Sequence, residues 1–183
     1  TAHILSMYGL EKGDRICTIG DNHSDTVVQY FAAWCIGAVV VPVNMGEDDG
    51  RIAYIIEDSH AKLAFVQTRY IDRTAGILAG IDERPQIIEA GPEEHGKYKS
   101  FRIEQMMANR GFRPEEKPSL DDAALIVYTS GTTGNPKGVV LDQYNLLTDA
   151  RGIADWHDLS EEQRMMCVLP IHHVNGTVVT LLT

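Results

Sequence analysis

Residues Ala123–Leu141 read AALIVYTSGTTGNPKGVVL. An apolar run, Ala123–Val127, enters a glycine-rich turn, and a second, Val139–Leu141, leaves it. Between them lie Gly131, Gly134 and Gly138, the hydroxyls of Thr129, Ser130, Thr132 and Thr133, one proline and Lys137. A glycine turn between two strands can aim several backbone N–H groups at one point, and hydroxyls and an ammonium add donors there. A polyphosphate suits that donor set. The competing reading is a surface turn that binds nothing, since Gly, Asn, Pro and Thr are ordinary turn residues. Lys137 favours the phosphate.

Two familiar phosphate motifs are excluded. The P-loop needs G-x-x-x-x-G-K-[ST], whereas Lys137 follows Pro136 and precedes Gly138. The dinucleotide fingerprint G-x-G-x-x-G fails too, because no glycine lies between Gly131 and Gly134.

Outward from the turn, apolar strand-like runs alternate with helical periodicity. Expected strands are Ile16–Ile19, Ala38–Val43, Leu63–Val66, Gln86–Glu89 and Met165–Leu169. Expected helices end at Gly9, start at Ser24 or Asp25 and run to Gly37, follow Glu47–Asp49, and cover Tyr70–Leu78, Phe101–Met107, Tyr144–Ile153 and Val174–Leu182. In the second of these, Val27, Val28, Tyr30, Phe31, Trp34 and Cys35 wrap most of the surface, which predicts deep burial. Connections too long for hairpins and wholly apolar strands predict an α/β fold, a mostly parallel open sheet flanked by helices. The polar segment Gly111–Asp122 divides the chain into 1–110, a connector 111–122, and an incomplete unit 123–183.

The chain has 183 residues, 44% hydrophobic and 23% charged, enough for one well-buried domain. A net charge of -10 argues against a general nucleic-acid binder. With no apolar run of membrane-spanning length and no signal pattern, a cytoplasmic location is the expectation. Cys17, Cys35 and Cys167 are far apart among apolar neighbours and read as buried thiols.

The string Thr129–Val139 resembles the phosphate-binding signature of the adenylate-forming superfamily, which includes acyl-CoA synthetases, luciferases and the adenylation domains of peptide synthetases. EKGDRI (Glu11–Ile16), GAVVVPVN (Gly37–Asn44) and RIAYIIEDSHAKLAFV (Arg51–Val66) look like the N-terminal half of an acyl-CoA synthetase, in the same order. The resemblance implies that Thr129, Ser130, Gly131, Thr132, Thr133, Gly134 and Lys137 hold the β- and γ-phosphates of ATP, with Thr129 a contact for Mg2+. It implies ATP-dependent activation of a carboxylic acid, then thioester formation with CoA, in a ligase of the long-chain fatty acid type.

LPIHHVNGT (Leu169–Thr177) is the second informative segment. Adjacent histidines on an extended segment point to opposite faces, so one metal ion is poorly served by both. The segment resembles the family's P-x-x-H-x-x-G, which implies that His173 borders the acyl pocket with Gly176 three residues on. Amino-acid-activating relatives usually carry an aspartate here; with only His172 and His173 in the segment, a carboxylate without an α-amino group is favoured. Where the family often has Thr-His-x-Asn after the loop strand, this chain has Asp142–Asn145. The family's adenine and ribose contacts, magnesium glutamate and adenylation lysine lie downstream of this point. The expectation is therefore a fragment that alone neither adenylates nor forms thioesters, and whose uncovered apolar surface self-associates. An amino-acid-adenylating or luciferase-like parent, or a non-catalytic nucleotide-binding module, stays open at this level.

Overall fold

The computed structural model describes residues 1–91, 96–108, 111–129 and 134–183. Its strands are β1 (Arg15–Ile19), β2 (Val39–Val43), β3 (Leu63–Gln67), β4 (Gln86–Ala90), β5 (Lys99–Ser100), β6 (Ala123–Thr129) and β7 (Lys137–Asp142). Among the described residues these form one sheet in the order β5-β4-β3-β1-β2-β6-β7. Every neighbouring pair is parallel except β6 and β7, which run antiparallel. β6 and β7 thus form a hairpin closed by the Thr129–Lys137 pair, an exception to the crossovers that connect the other strands.

Helices α1 (Ala2–Met7), α2 (Ser24–Cys35), α3 (Asp49–Asp58), α4 (Ile71–Leu78), α5 (Phe101–Met107) and α6 (Gln143–Trp156) cover the sheet, and a final helix, α7 (Asn175–Leu182), is wound as a π-helix. Side-chain alternation explains why both faces need cover. Ile16, Val40, Leu63 and Phe65 point into a core shared with α1, α2 and α6, whereas Cys17, Val41, Ala64 and Val66 point into a second core shared with α3 and α4. Phe65 and Phe101 meet edge to face at 5.2 Å. Burying each such ring stabilises by about 1.5–3 kcal/mol.

The helix starts follow capping chemistry. The Asp48 side chain accepts from Arg51 N at 3.0 Å. Asp142 and Asn145 form a reciprocal box, with Asn145 N donating to Asp142 Oδ1 at 2.6 Å and Asp142 N donating to Asn145 Oδ1 at 3.1 Å. The residues that depart from the family pattern after β7 therefore start α6.

Three expectations are corrected. The second helix is capped by His23, whose ring accepts from Asp25 N, and it is buried on one side only: Val28, Phe31 and Cys35 are exposed. Its inner side carries Gln29, Tyr30, Ala33 and Trp34, and the small Ala32 and Ala33 allow close approach to the sheet. Cys35 is accordingly a surface thiol, Cys167 is half-buried and only Cys17 is fully buried, its pKa pushed up to about 12 by burial. Finally, Met165–Leu169 is not a strand. Met165, Met166, Val168 and Leu169 are exposed, and no sheet edge among the described residues pairs with them, so apolar character alone does not make a ladder there.

Candidate functional site

Ligands of parallel α/β sheets bind at the carboxyl ends of the strands. On this edge the structure places the Gly20–His23 turn after β1, the 3-10 turn Thr68–Tyr70 after β3, and the paired Thr129 and Lys137 where β6 ends and β7 begins.

Thr129 ends β6, Lys137 begins β7, and the two are directly paired. Directly opposed residues of an antiparallel pair project from the same face, so the hydroxyl and the ammonium stem rise together at the mouth of the hairpin. The Thr129 hydroxyl donates to the Lys137 carbonyl at 3.4 Å, and both side chains are exposed. Gly134 has φ +132°, a conformation that L side chains rarely adopt. Ser130, Gly131, Thr132 and Thr133 lie outside the described residues.

The glycine at 138 serves a neighbour. A Cβ there would lie 2.9 Å from Ile126 Cγ2 and 3.1 Å from Tyr128 Cζ, so its absence lets the Tyr128 ring lie across the hairpin. The Tyr128 hydroxyl then donates to Asp58 Oδ2 at 2.6 Å, and Tyr54 donates to Asp58 Oδ1 at 3.1 Å. Burial, followed by the Asp58 carboxylate, raises the Tyr128 pKa, which keeps the hydroxyl a donor.

The histidine segment is a tight turn, not an extended strand end. His173 N donates to Pro170 O at 3.0 Å, and the two imidazoles lie with centroids 4.7 Å apart. The argument that neighbouring side chains must diverge therefore does not hold at this position. His173 is exposed; His172 is half-buried, and burial followed by the proximity of His173 lowers its pKa, opposed by Asp21. Gly176 has a packing reason: a Cβ there would sit 2.2 Å from Pro170 O.

Several residues that hold this turn were not singled out by motif. Asn22 Nδ2 donates to Leu169 O at 2.8 Å, and Ile171 N donates to Asn22 Oδ1 at 2.9 Å. The carbonyl of Ile171 accepts from the Tyr30 hydroxyl at 3.0 Å and from the Thr177 hydroxyl at 2.5 Å. Asp21 brings a carboxylate toward the turn from a distant part of the sequence, where it is engaged by Arg69 and by the Tyr70 hydroxyl at 3.0 Å. The sequence cue is the polar run GDNHSD (Gly20–Asp25) directly after a buried strand, from which only the helix start at Ser24 or Asp25 is readable. Between the ends of β1, β3 and β4 a cleft of about 430 Å³ opens, floored by Ile19 and Phe65 and walled by Asn22, Gln29, Gln67 and Arg69.

Thr129 and Lys137 fit the phosphate end of a nucleotide. Among the described residues no group of three or more His, Cys, Asp or Glu could hold a metal ion. One hydroxyl at Thr129 is a single oxygen ligand, whereas Mg2+ requires about six, so a cation here would depend on phosphate oxygens and water. No helix of the described residues is long and apolar enough to cross a membrane.

The family model described as "AMP-binding enzyme" matches residues 1–183. The chain is 30% identical over 183 residues to a mitochondrial malonate–CoA ligase of Mus musculus, covering 98% of this chain and 30% of that protein. It is 28% identical over 183 residues to a long-chain-fatty-acid–CoA ligase of Mycobacterium tuberculosis, covering 97% and 30%. Among solved structures, ATP-bound MatB from Rhodopseudomonas palustris superposes with a TM-score of 0.83 at 28% identity, over 97% of this chain and 34% of that one. The chain thus spans about a third of the length of the relatives it matches.

Proposed function

Since the chain belongs to the AMP-binding enzyme family, we propose that it is part of an ATP-dependent acid–thiol ligase. The carboxylate of the substrate attacks the α-phosphorus of ATP, forming an acyl–phosphate bond and breaking the bond to pyrophosphate. The thiol of CoA then attacks the acyl carbon and AMP leaves. The observation that carries this reading is the Thr129–Lys137 pair at the mouth of a hairpin on the carboxyl edge of the sheet. Two anions must meet and charge must collect on pyrophosphate, so an ammonium and hydroxyl donors there lower the barrier. Ser130, Gly131, Thr132, Thr133 and Gly134 complete the phosphate cradle in this proposal, and Mg2+ arrives with the nucleotide.

The acid is one without an α-amino group, because Asp21, the carboxylate near the histidine turn, is already paired with Arg69. A fatty acid is the first candidate. The similarity to a malonate–CoA ligase favours, as a second reading, a short acid bearing another anionic group.

The test uses the full-length protein with ATP, CoA and a panel of fatty acids, malonate and amino acids. Carboxylate-dependent pyrophosphate release with thioester formation is expected, and Lys137→Ala should reduce the release about 10²–10³-fold. Loading of a carrier-protein thiol in place of CoA would reassign the chain to an amino-acid-adenylating enzyme.

A further inference from the structure

Two side-chain amides lie in series along the carboxyl edge of the sheet. Gln67, the last residue of β3, holds the peptide of Asp21 from both sides: Asp21 N donates to Gln67 Oε1 at 2.9 Å, and Gln67 Nε2 donates to Asp21 O at 3.0 Å. The next residue, Asn22, grips Leu169 O and Ile171 N in the same two-sided way. Gly20 makes this possible, since a Cβ there would sit 2.5 Å from the Gln67 side chain. The outcome is a cross-link from β3 through the β1 turn to the histidine turn, a separation of 149 residues between Asn22 and Ile171.

The chemistry selects an amide. A backbone N–H and a backbone C=O presented together need one acceptor and one donor, and a side-chain amide carries them on two separate atoms of one rigid plane. Aspartate keeps the acceptor for Ile171 N but sets a carboxylate against the Leu169 carbonyl. Serine would have to accept and donate through one oxygen on a side chain one bond shorter. The histidine turn has no strand ladder of its own, so its placement over the sheet edge depends on these side-chain bonds and on Tyr30 and Thr177 behind them.

We infer that Asn22, held in register by Gln67, is the positioning residue of the His172–His173 turn, and through it sets the carboxylate site without acting on ATP. The second clause rests on the function proposed above and on His173 bordering the acyl pocket, as the resemblance of Leu169–Thr177 to the family's P-x-x-H-x-x-G implies. Steric and polar placement of a pocket wall governs how a substrate is oriented, so its loosening raises the KM for the acid and lowers turnover while nucleotide binding is kept.

The experiment compares Asn22→Ala, Asn22→Asp and Gln67→Ala in the full-length enzyme. Amide hydrogen exchange at Ile171 is read by mass spectrometry or NMR, and KM values are determined separately for carboxylate and ATP. Exchange at Ile171 should rise in Asn22→Ala and less in Asn22→Asp, which keeps the acceptor. The carboxylate KM should rise at least about tenfold in both Asn22 variants, with a smaller rise in Gln67→Ala, and the ATP KM should stay within about twofold. Unchanged Ile171 exchange in Asn22→Ala overturns the positioning role. Equal rises in both KM values, or no rise in the carboxylate KM, overturn the selective effect on the acid. If Asn22→Ala does not fold, Asn22→Asp and Gln67→Ala carry the same criteria. Absence of carboxylate-dependent pyrophosphate release in the unmodified enzyme would sink the proposed function instead, and the exchange measurement would still judge the clamp.

Discussion

Gly176 sits where one added carbon meets the backbone: its Cβ would fall 2.2 Å from Pro170 O and 2.9 Å from Ile171 N. A flexible side chain could step aside, but a backbone carbonyl inside a turn cannot. Gly176→Ala is therefore expected to destabilise on the order of 3 kcal/mol, read as a shift in urea midpoint, whereas Gly152→Ala, with nothing within 4 Å, should not. His172 gives a pH prediction. Burial first, then His173, lower its pKa, so below its ordinary value of about 6.5 the unfolded chain binds a proton that the folded chain resists. Stability contributed by neutral His172 is complete above about pH 6.5 and is lost as pH falls through its lower folded value. An NMR titration should give His172 a midpoint below that of a free imidazole, and His172→Asn should flatten the acid limb of stability. At this scale the sequence singles out Lys137 and His173 by motif and is silent where geometry alone makes the contact. Nothing in GDNHSD shows that Asn22 reaches Leu169 and Ile171, because that pairing exists only once β1 and the histidine turn have been brought together.

Among the elements, α2 shows how a correct assignment can carry a wrong burial. Its periodicity was clear, yet Val28 and Phe31 face outward while Gln29, a polar residue, is 2% exposed. The inner side is organised by polar anchors: Trp34 Nε1 donates to Ala124 O at 2.8 Å, tying α2 to the start of β6. Trp34→Phe would leave that buried carbonyl without its donor, at a cost of about 1–3 kcal/mol. Denaturant unfolding of the full-length protein checks it. The start of α6 is similarly exposed to one substitution, because Asp142 both ends β7 and caps the helix. Asp142→Ala should cost about 1 kcal/mol, with faster amide exchange confined to Gln143–Asn145. The parallel strands were readable because burial on both faces writes a continuous apolar run. The 165–169 segment carries the same kind of run without a strand to pair with, and pairing is a property of the neighbours that a local pattern does not contain.

The whole molecule is asymmetric in what it covers. Cys17, Val41 and Phe65 at the sheet centre are fully enclosed, while the β7 side is open: Val139 and Val140, adjacent residues that point to opposite faces, are 45% and 57% exposed. Leu147 and Trp156 on α6, and Met166 and Val168 beyond it, add apolar surface, with Trp156 86% exposed. Within the described sheet β7 is also the terminal strand, so its outer row of N–H and C=O groups is available for pairing. An apolar strand of that kind at a sheet end invites a second strand, and contiguous apolar patches favour association. The isolated 183-residue chain is therefore expected to self-associate with rising concentration. Light scattering across a dilution series measures this directly, and a concentration-independent monomer would refute it. Because Val139 and Val140 serve opposite faces of one edge strand, the double change Val139→Lys, Val140→Lys should return the chain toward monomer. A charge added on the exposed side of α4, as in Gly76→Lys, where nothing lies within 4 Å of an added Cβ, should leave association unchanged. That contrast separates association through the open β7 edge from a general loss of solubility.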